Sequence, residues 1–137
     1  MSLVIHSSIT LAWFFEDERS ALADAALQQV TESGAVVPSL WRLEVANALQ
    51  MAVRRQRIDV RFRDASIADL RSLPIAIDPE TDRHAWGTAL ILAERCQLTL
   101  YDAAYLELAQ RVGFPLASLD QQLRAAATAI GVTLLGS

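Results

Sequence analysis

Apolar positions along the chain fall into short runs separated by stretches of helical period. Leu3-Val4-Ile5, Ala35-Val36-Val37, Ile75-Ala76-Ile77, Leu116-Ala117-Ser118 and Val132-Thr133-Leu134-Leu135 are too brief for helices and lack the alternation of a half-exposed strand. They read as buried strands. Between them, Ala21, Leu22, Ala25, Ala26 and Val30 recur at helical spacing and predict a helix over 17–32, ended by Gly34. Ser7 or Ser8 is placed to cap a short helix to residue 14, and Ser39 a long one to about residue 57. Asp59 caps another to residue 73, where Pro74 breaks it. Residues 79–97, 101–111 and 121–130 read as three more helices, the last two stopped by Gly113 and Gly131. Fully apolar strands alternating with helices require a parallel sheet covered on both faces, with ligands beyond the carboxyl ends of its strands. The pattern predicts a single α/β domain over 1–137.

Composition narrows the function more than the fold. The 137 residues suit one core. No apolar run is long enough to span a membrane, and Met1-Ser2-Leu3 lacks the basic start of a signal peptide, so the expected location is the cytoplasm. Cys96 is the only cysteine, which excludes an intrachain disulfide and a cysteine-based zinc cage. A net charge of −4 argues against indiscriminate nucleic-acid binding. All 12 cationic residues are arginines, half of them between Arg42 and Arg63, and arginine pairs with phosphate as a planar fork. Arg54, Arg55 and Arg57, with Arg61 and Arg63, are candidate RNA-phosphate contacts, weighed against a solvated helix end.

The chemistry rests on three acids and a histidine. Glu44 stands in the otherwise apolar stretch Leu40-Trp41-Arg42-Leu43-Glu44-Val45-Ala46-Asn47-Ala48-Leu49, and Asn47 shares its helix face. Asp102 opens the penultimate helix, and Asp120 follows the fourth strand. Taken singly, each Asp is explained by helix capping. Asp24, Glu32, Asp78 and Asp82 read as structural. His6, however, ends the first strand, and a parallel sheet can bring His6, Asp102 and Asp120 to one edge, with Glu44 reaching in from its helix. Carboxylates so gathered repel one another, and a hard divalent cation relieves the repulsion. His84 has no ligand-spaced partner and reads as a surface residue. Trp13, Phe14 and Phe15 cannot all point inward from one short helix, which leaves one or two to line a partner's groove.

At these residues the chain resembles a PIN domain of the VapC type, the toxin of bacterial type II toxin–antitoxin pairs. The likeness is carried by Val4-Ile5-His6-Ser7-Ser8 running to Trp13-Phe14, by Pro38 to Leu49 with Glu44-Val45-Ala46-Asn47-Ala48-Leu49, by Tyr101-Asp102-Ala103-Ala104-Tyr105-Leu106, and by Pro115-Leu116-Ala117-Ser118-Leu119-Asp120. It implies a three-layer α/β/α fold with a central parallel sheet of four to five short strands. It also implies an Mg²⁺- or Mn²⁺-dependent endoribonuclease, a homodimer, and a cognate antitoxin whose C-terminal segment occupies the groove. Glu44, Asp102 and Asp120 match the family's metal-binding acids. Ser8 and Ser118 match supporting hydroxyls, and Asn47 stands beside Glu44 in the same role.

His6 stands where the resemblance calls for an Asp, so it is the fourth, doubtful member of the metal and catalytic set. An imidazole there removes a charge and a hard oxygen ligand, and it suits Mn²⁺ better than Mg²⁺. The expectation is an attenuated ribonuclease. Its alternative is a catalytically silent PIN-like domain that acts by binding an antitoxin or RNA. A phosphoryl-transfer domain with an aspartyl nucleophile is disfavoured, because that position lacks the Asp and no phosphate-cradling glycine loop is present.

Overall fold

A computed structural model describes residues 2–136. Four strands, β1 (Leu3–Ile5), β2 (Ala35–Val37), β3 (Ile75–Ile77) and β4 (Leu116–Ala117), pair in parallel in the order β3-β2-β1-β4. Val4 opposes Val36 on one side and Leu116 on the other, and Ala76 opposes Val36. The helices are α1 (Ser7–Ala12), α2 (Ala21–Ser33), α3 (Trp41–Arg54), α4 (Val60–Ser72), α5 (Thr81–Ala85), α6 (Thr88–Cys96), α7 (Leu100–Val112) and α8 (Gln121–Ala129), with a 3₁₀ turn at Glu16–Glu18. Leu3, Val4 and Ile5 are fully buried, as is α7 from Ala103 to Ala109, so the first strand and this helix form the centre of one contiguous apolar core. No helix among the described residues is long and apolar enough to cross a membrane.

The expected strands and helices occur, with five differences that have local causes. The helix expected over 79–97 is two, broken at Trp86 and Gly87, where Gly87 adopts φ −116° and ψ −112°. The final strand shrinks to a single bridge, Leu116 to Leu134, so the sheet has four strands and a stub. The segment before α2 is a separate 3₁₀ turn, and Ser20 supplies the cap by accepting from the Ala23 N–H at 3.0 Å. Neither Ser7 nor Ser8 caps α1; His6 does, its ring accepting from the Ser8 N–H. Ser39 caps nothing and instead donates its N–H to the Thr81 hydroxyl at 3.0 Å. Asp59 caps α4 as expected, and Thr99 caps α7 by accepting from the Asp102 N–H.

Gly34 joins α2 to β2 at φ +82° and ψ 176°, a region open essentially to glycine alone. A Cβ there would lie 3.1 Å from the Pro74 carbonyl oxygen. Gly34→Ala is expected to destabilise the chain by about 1–3 kcal/mol, read as a lower urea midpoint with an unchanged slope.

A second set of charges lies away from the acids singled out above. Asp78, just after β3, and Glu107, on α7, are both buried, and Arg111 grips both. Its guanidinium donates to Asp78 at 2.6 and 3.3 Å and to Glu107 at 2.8 and 3.0 Å. Burial works against a charged Asp78, but Arg111, the Glu80 N–H and the Thr81 hydroxyl together outweigh it and hold the carboxyl below its usual range. The Glu107 and Asp78 contacts likewise push Arg111 up, so it stays charged. His84 is not a free surface residue: it is half-buried, with Nδ1 4.0 Å from Glu107.

Candidate functional site

The strand order leaves room for a site at one place. From β1 the chain moves outward through β2 to β3, then returns to lay β4 on the other side of β1. Where strand order reverses in a parallel sheet, a crevice opens beyond the carboxyl ends of the two strands. Here those strands are β1 and β4. His6 is the residue after β1 and Ser118 the residue after β4, and the His6 N–H donates to the Ala117 carbonyl at 2.9 Å.

The imidazole of His6 is the hub. Its Nε2 lies 2.8 Å from Asp102 Oδ1. Its Nδ1 faces the Ser8 N–H at 3.3 Å, the Ser8 hydroxyl at 2.8 Å and the Ser118 hydroxyl at 3.5 Å. A backbone N–H can only donate, so Nδ1 accepts. The Ser8 oxygen itself accepts from the Leu119 N–H at 3.0 Å, which frees its own proton for Nδ1. The hydrogen-bond pattern therefore assigns the proton to Nε2, which donates to Asp102. The ring is buried and meets Tyr105 edge-on, with centroids 4.8 Å apart.

Tyr105 carries the link to Glu44. It is fully buried, and its hydroxyl donates to Glu44 Oε1 at 2.5 Å. Burial and the Glu44 carboxylate push its ionisation far up, so it remains a donor at any ordinary pH. Tyr105 lies within the motif that carries the family likeness but was not among the candidate site residues. One signal was present: it lies three positions after Asp102, on the same helix face. Asp120 joins through Ser118, whose hydroxyl accepts from the Asp120 N–H at 3.0 Å. One Asp120 carboxylate oxygen caps α8 by accepting from the Leu123 N–H at 2.9 Å.

His6, Ser8, Asp102, Ser118, Asp120, Tyr105 and Glu44 thus form one connected network drawn from β1, α1, α3, α7 and β4. Asn47 is exposed and hydrogen-bonds to none of them. Of the arginines, Arg57 is bound to its own fold: it pairs with Asp17 at 3.1 Å and lies 4.6 Å over the Phe15 ring. Arg63 pairs with Asp64 and Gln50. Arg54 and Arg55 are exposed at the end of α3. Phe14, Phe15, Ile58 and Phe62 line a groove of about 700 Å³ beside Arg57, Glu16 and Asp17. Trp13 instead donates its indole N–H to the Ala23 carbonyl at 2.9 Å.

The arrangement bears directly on a divalent ion. Among the described residues no three His, Cys, Asp or Glu side chains converge as a group able to hold one. Each acid already has a protein donor: His6 for Asp102, Tyr105 for Glu44, the Leu123 N–H for Asp120. A neutral ring with its proton on Nε2 and its other nitrogen engaged offers no lone pair. As arranged, this donor set does not fit a hard divalent cation.

Comparison with known proteins agrees with the fold. The model of the PIN domain matches residues 3–129. A ribonuclease VapC3 of Pyrobaculum aerophilum is 32% identical over 123 residues, covering 90% of this chain and 92% of its own length. A ribonuclease VapC3 of Mycobacterium tuberculosis is 34% identical over 88 residues, 63% of this chain and 60% of that protein. Among solved structures, PAE2754 of Pyrobaculum aerophilum superposes with a TM-score of 0.63 at 24% identity, over 92% of this chain and 79% of that one. VapC20 of Mycobacterium tuberculosis, a toxin that cleaves the sarcin–ricin loop, gives 0.61 at 15% identity over 90% and 94%. VapBC2 of Rickettsia felis, bound to a promoter DNA fragment, gives 0.61 at 9% identity over 98% and 97%. The last three likenesses concern the fold. The chain belongs to the PIN-domain family, within its VapC ribonuclease group.

Proposed function

We propose that the chain is the RNA-cleaving member of a type II toxin–antitoxin pair, hydrolysing RNA phosphodiesters in the crevice between β1 and β4, with an activity that His6 holds low. The observation that carries this reading is the network itself: Glu44, Asp102 and Asp120 are linked around one strand-end residue, at the position where a parallel sheet binds ligands. Nearly full-length similarity to a ribonuclease supports the substrate class. Glu44, Asp102 and Asp120 are the residues that would hold Mg²⁺ or Mn²⁺, which would supply charge neutralisation to the phosphate. In the present arrangement each has one oxygen engaged by a protein donor and the three do not converge as a cation site, and attenuation follows from that. Ser8 and Ser118 keep the ring in place, and Arg54 and Arg55 are exposed cations placed to meet RNA phosphates.

The groove of Phe14, Phe15, Ile58 and Phe62 is the seat we assign to a cognate antitoxin's apolar segment. Trp86, 92% exposed, with Leu90 and Ile91, gives the chain apolar surface for a second copy in a homodimer. The cytoplasm is the compartment where the RNA is met.

Incubating the purified chain with structured RNA and Mn²⁺ tests the activity. Slow cleavage is expected, falling to background in Glu44→Gln and in Asp120→Asn. A second reading, a silent domain that binds antitoxin or RNA, is favoured by the absence of a converging cation site among the described residues. It is supported if this chain is inert and His6→Asp is active. Inert RNA with both proteins would overturn the ribonuclease reading.

A further inference from the structure

We infer that His6 is a plug: its imidazole closes the acid cluster to divalent ions, and removing the ring opens the cluster even when no carboxylate replaces it. This deepens the reading above, since it concerns the same crevice, but it makes a separate claim. A missing carboxylate merely weakens a site. A plug occupies one.

Three observations carry the inference. The first is that His6 engages one Asp102 carboxylate oxygen, Oδ1, through a 2.8 Å hydrogen bond from Nε2, and sets its ring between that acid and the end of β1. Mg²⁺ and Mn²⁺ would have to replace that donor, and Mg²⁺ also gives up its own waters reluctantly. The second is that the ring cannot turn its lone pair towards an incoming ion at low cost. Moving the proton to Nδ1 would set it against the Ser8 N–H, a fixed donor 3.3 Å away. Two donors facing each other in a buried place leave one unsatisfied. The third is that the ring is wedged. It is buried, edge-on to Tyr105, which itself fastens Glu44, and flanked by the Ser8 and Ser118 hydroxyls. Ser8 is tied in turn to the Leu119 N–H across the crevice. A rotamer change would break several of these contacts at once.

His6→Ala separates a plug from a missing ligand. It removes the ring and adds no oxygen, so Glu44, Asp102 and Asp120 alone must provide any gain. Calorimetric titration of Mn²⁺ and Mg²⁺ into this chain, His6→Ala, His6→Ser and His6→Asp needs no RNA. The expected order is weak Mn²⁺ binding by this chain, binding by the Ala and Ser variants at least about tenfold tighter, and tighter binding still by His6→Asp. Melting temperatures follow the same order: this chain melts alike in EDTA and in Mn²⁺, whereas the Ala and Ser variants gain several degrees with the ion. The Ser variant serves if the Ala variant fails to fold. Binding by His6→Asp alone, with Ala and Ser as inert as this chain, would overturn the plug. So would saturable binding by this chain within a few-fold of the Ala variant. Ion binding by the variants without RNA cleavage would leave the plug standing and count against the ribonuclease reading.

Discussion

Arg111→Met is expected to destabilise the chain by about 3–5 kcal/mol, a large part of the stability of a domain this size. Asp78 and Glu107 are only 5% and 4% exposed, and Arg111 is the one guanidinium that both contact. Methionine keeps much of the volume and removes the charge, so two carboxylates remain in a dry place without their counter-ion. Urea denaturation followed by circular dichroism reads the loss. The triple variant Arg111→Met, Asp78→Asn, Glu107→Gln is expected to recover most of it, because breaking a buried pair costs more than replacing it. A triple variant as unstable as the single one would show that packing, and not charge, is the function of the cluster.

The same cluster sets an acid limit. The folded Asp78 carboxyl is held below its unfolded value, so its contribution is complete above the unfolded pKa of about 3.9. It is lost as pH falls through the lower, folded value. A stability profile of this chain should therefore decline only below about pH 4 on this account. In Arg111→Met the lowering partner is gone and the burial that opposes ionisation remains, so the folded carboxyl is pushed back up and this acid decline should shrink or reverse, the variant losing least stability at low pH.

The second large effect is a gain. His6→Asp is expected to raise the rate of cleavage of a structured RNA in Mg²⁺ by about 100-fold, the upper end of what a change at the support of a metal site produces. The reason is local. The variant frees Asp102 from its imidazole partner and sets a second carboxylate beside it at the end of β1. It should also melt lower than this chain in EDTA, since two carboxylates then face each other near a buried position without relief. A rate equal to that of this chain, measured on end-labelled RNA at saturating Mg²⁺, would remove His6 as the cause of attenuation.

Much of this was legible in the sequence because it depends on neighbours along the chain. Buried strands showed as short apolar runs, and Asp59, Thr99 and Asp120 cap helices as their spacing to the following N–H groups predicts. The edge at which the acids gather followed from parallel strands. What stayed hidden depends on how elements lie against one another. Tyr105 meets Glu44 across 61 positions and His6 meets Asp102 across 96, and no local pattern fixes those registers. Glu107 and Arg111 were readable as an i,i+4 pair, but Asp78, 33 positions from Arg111, was not. The tautomer of His6 was hidden for the same reason. It is set by one backbone N–H and by a serine anchored to the far strand. The break at Trp86 and Gly87 leaves little trace in the sequence, because a lone glycine within a helical period is often tolerated.

Trp86 gives the chain an optical reporter that needs no label. Trp41 is buried with its indole on the Thr10 hydroxyl and Trp13 is half-buried on the Ala23 carbonyl, while Trp86 stands almost entirely in water. Iodide should quench the Trp86 emission selectively. Shielding of that fraction, with a shift to shorter wavelength, would register the arrival of whatever molecule covers this corner.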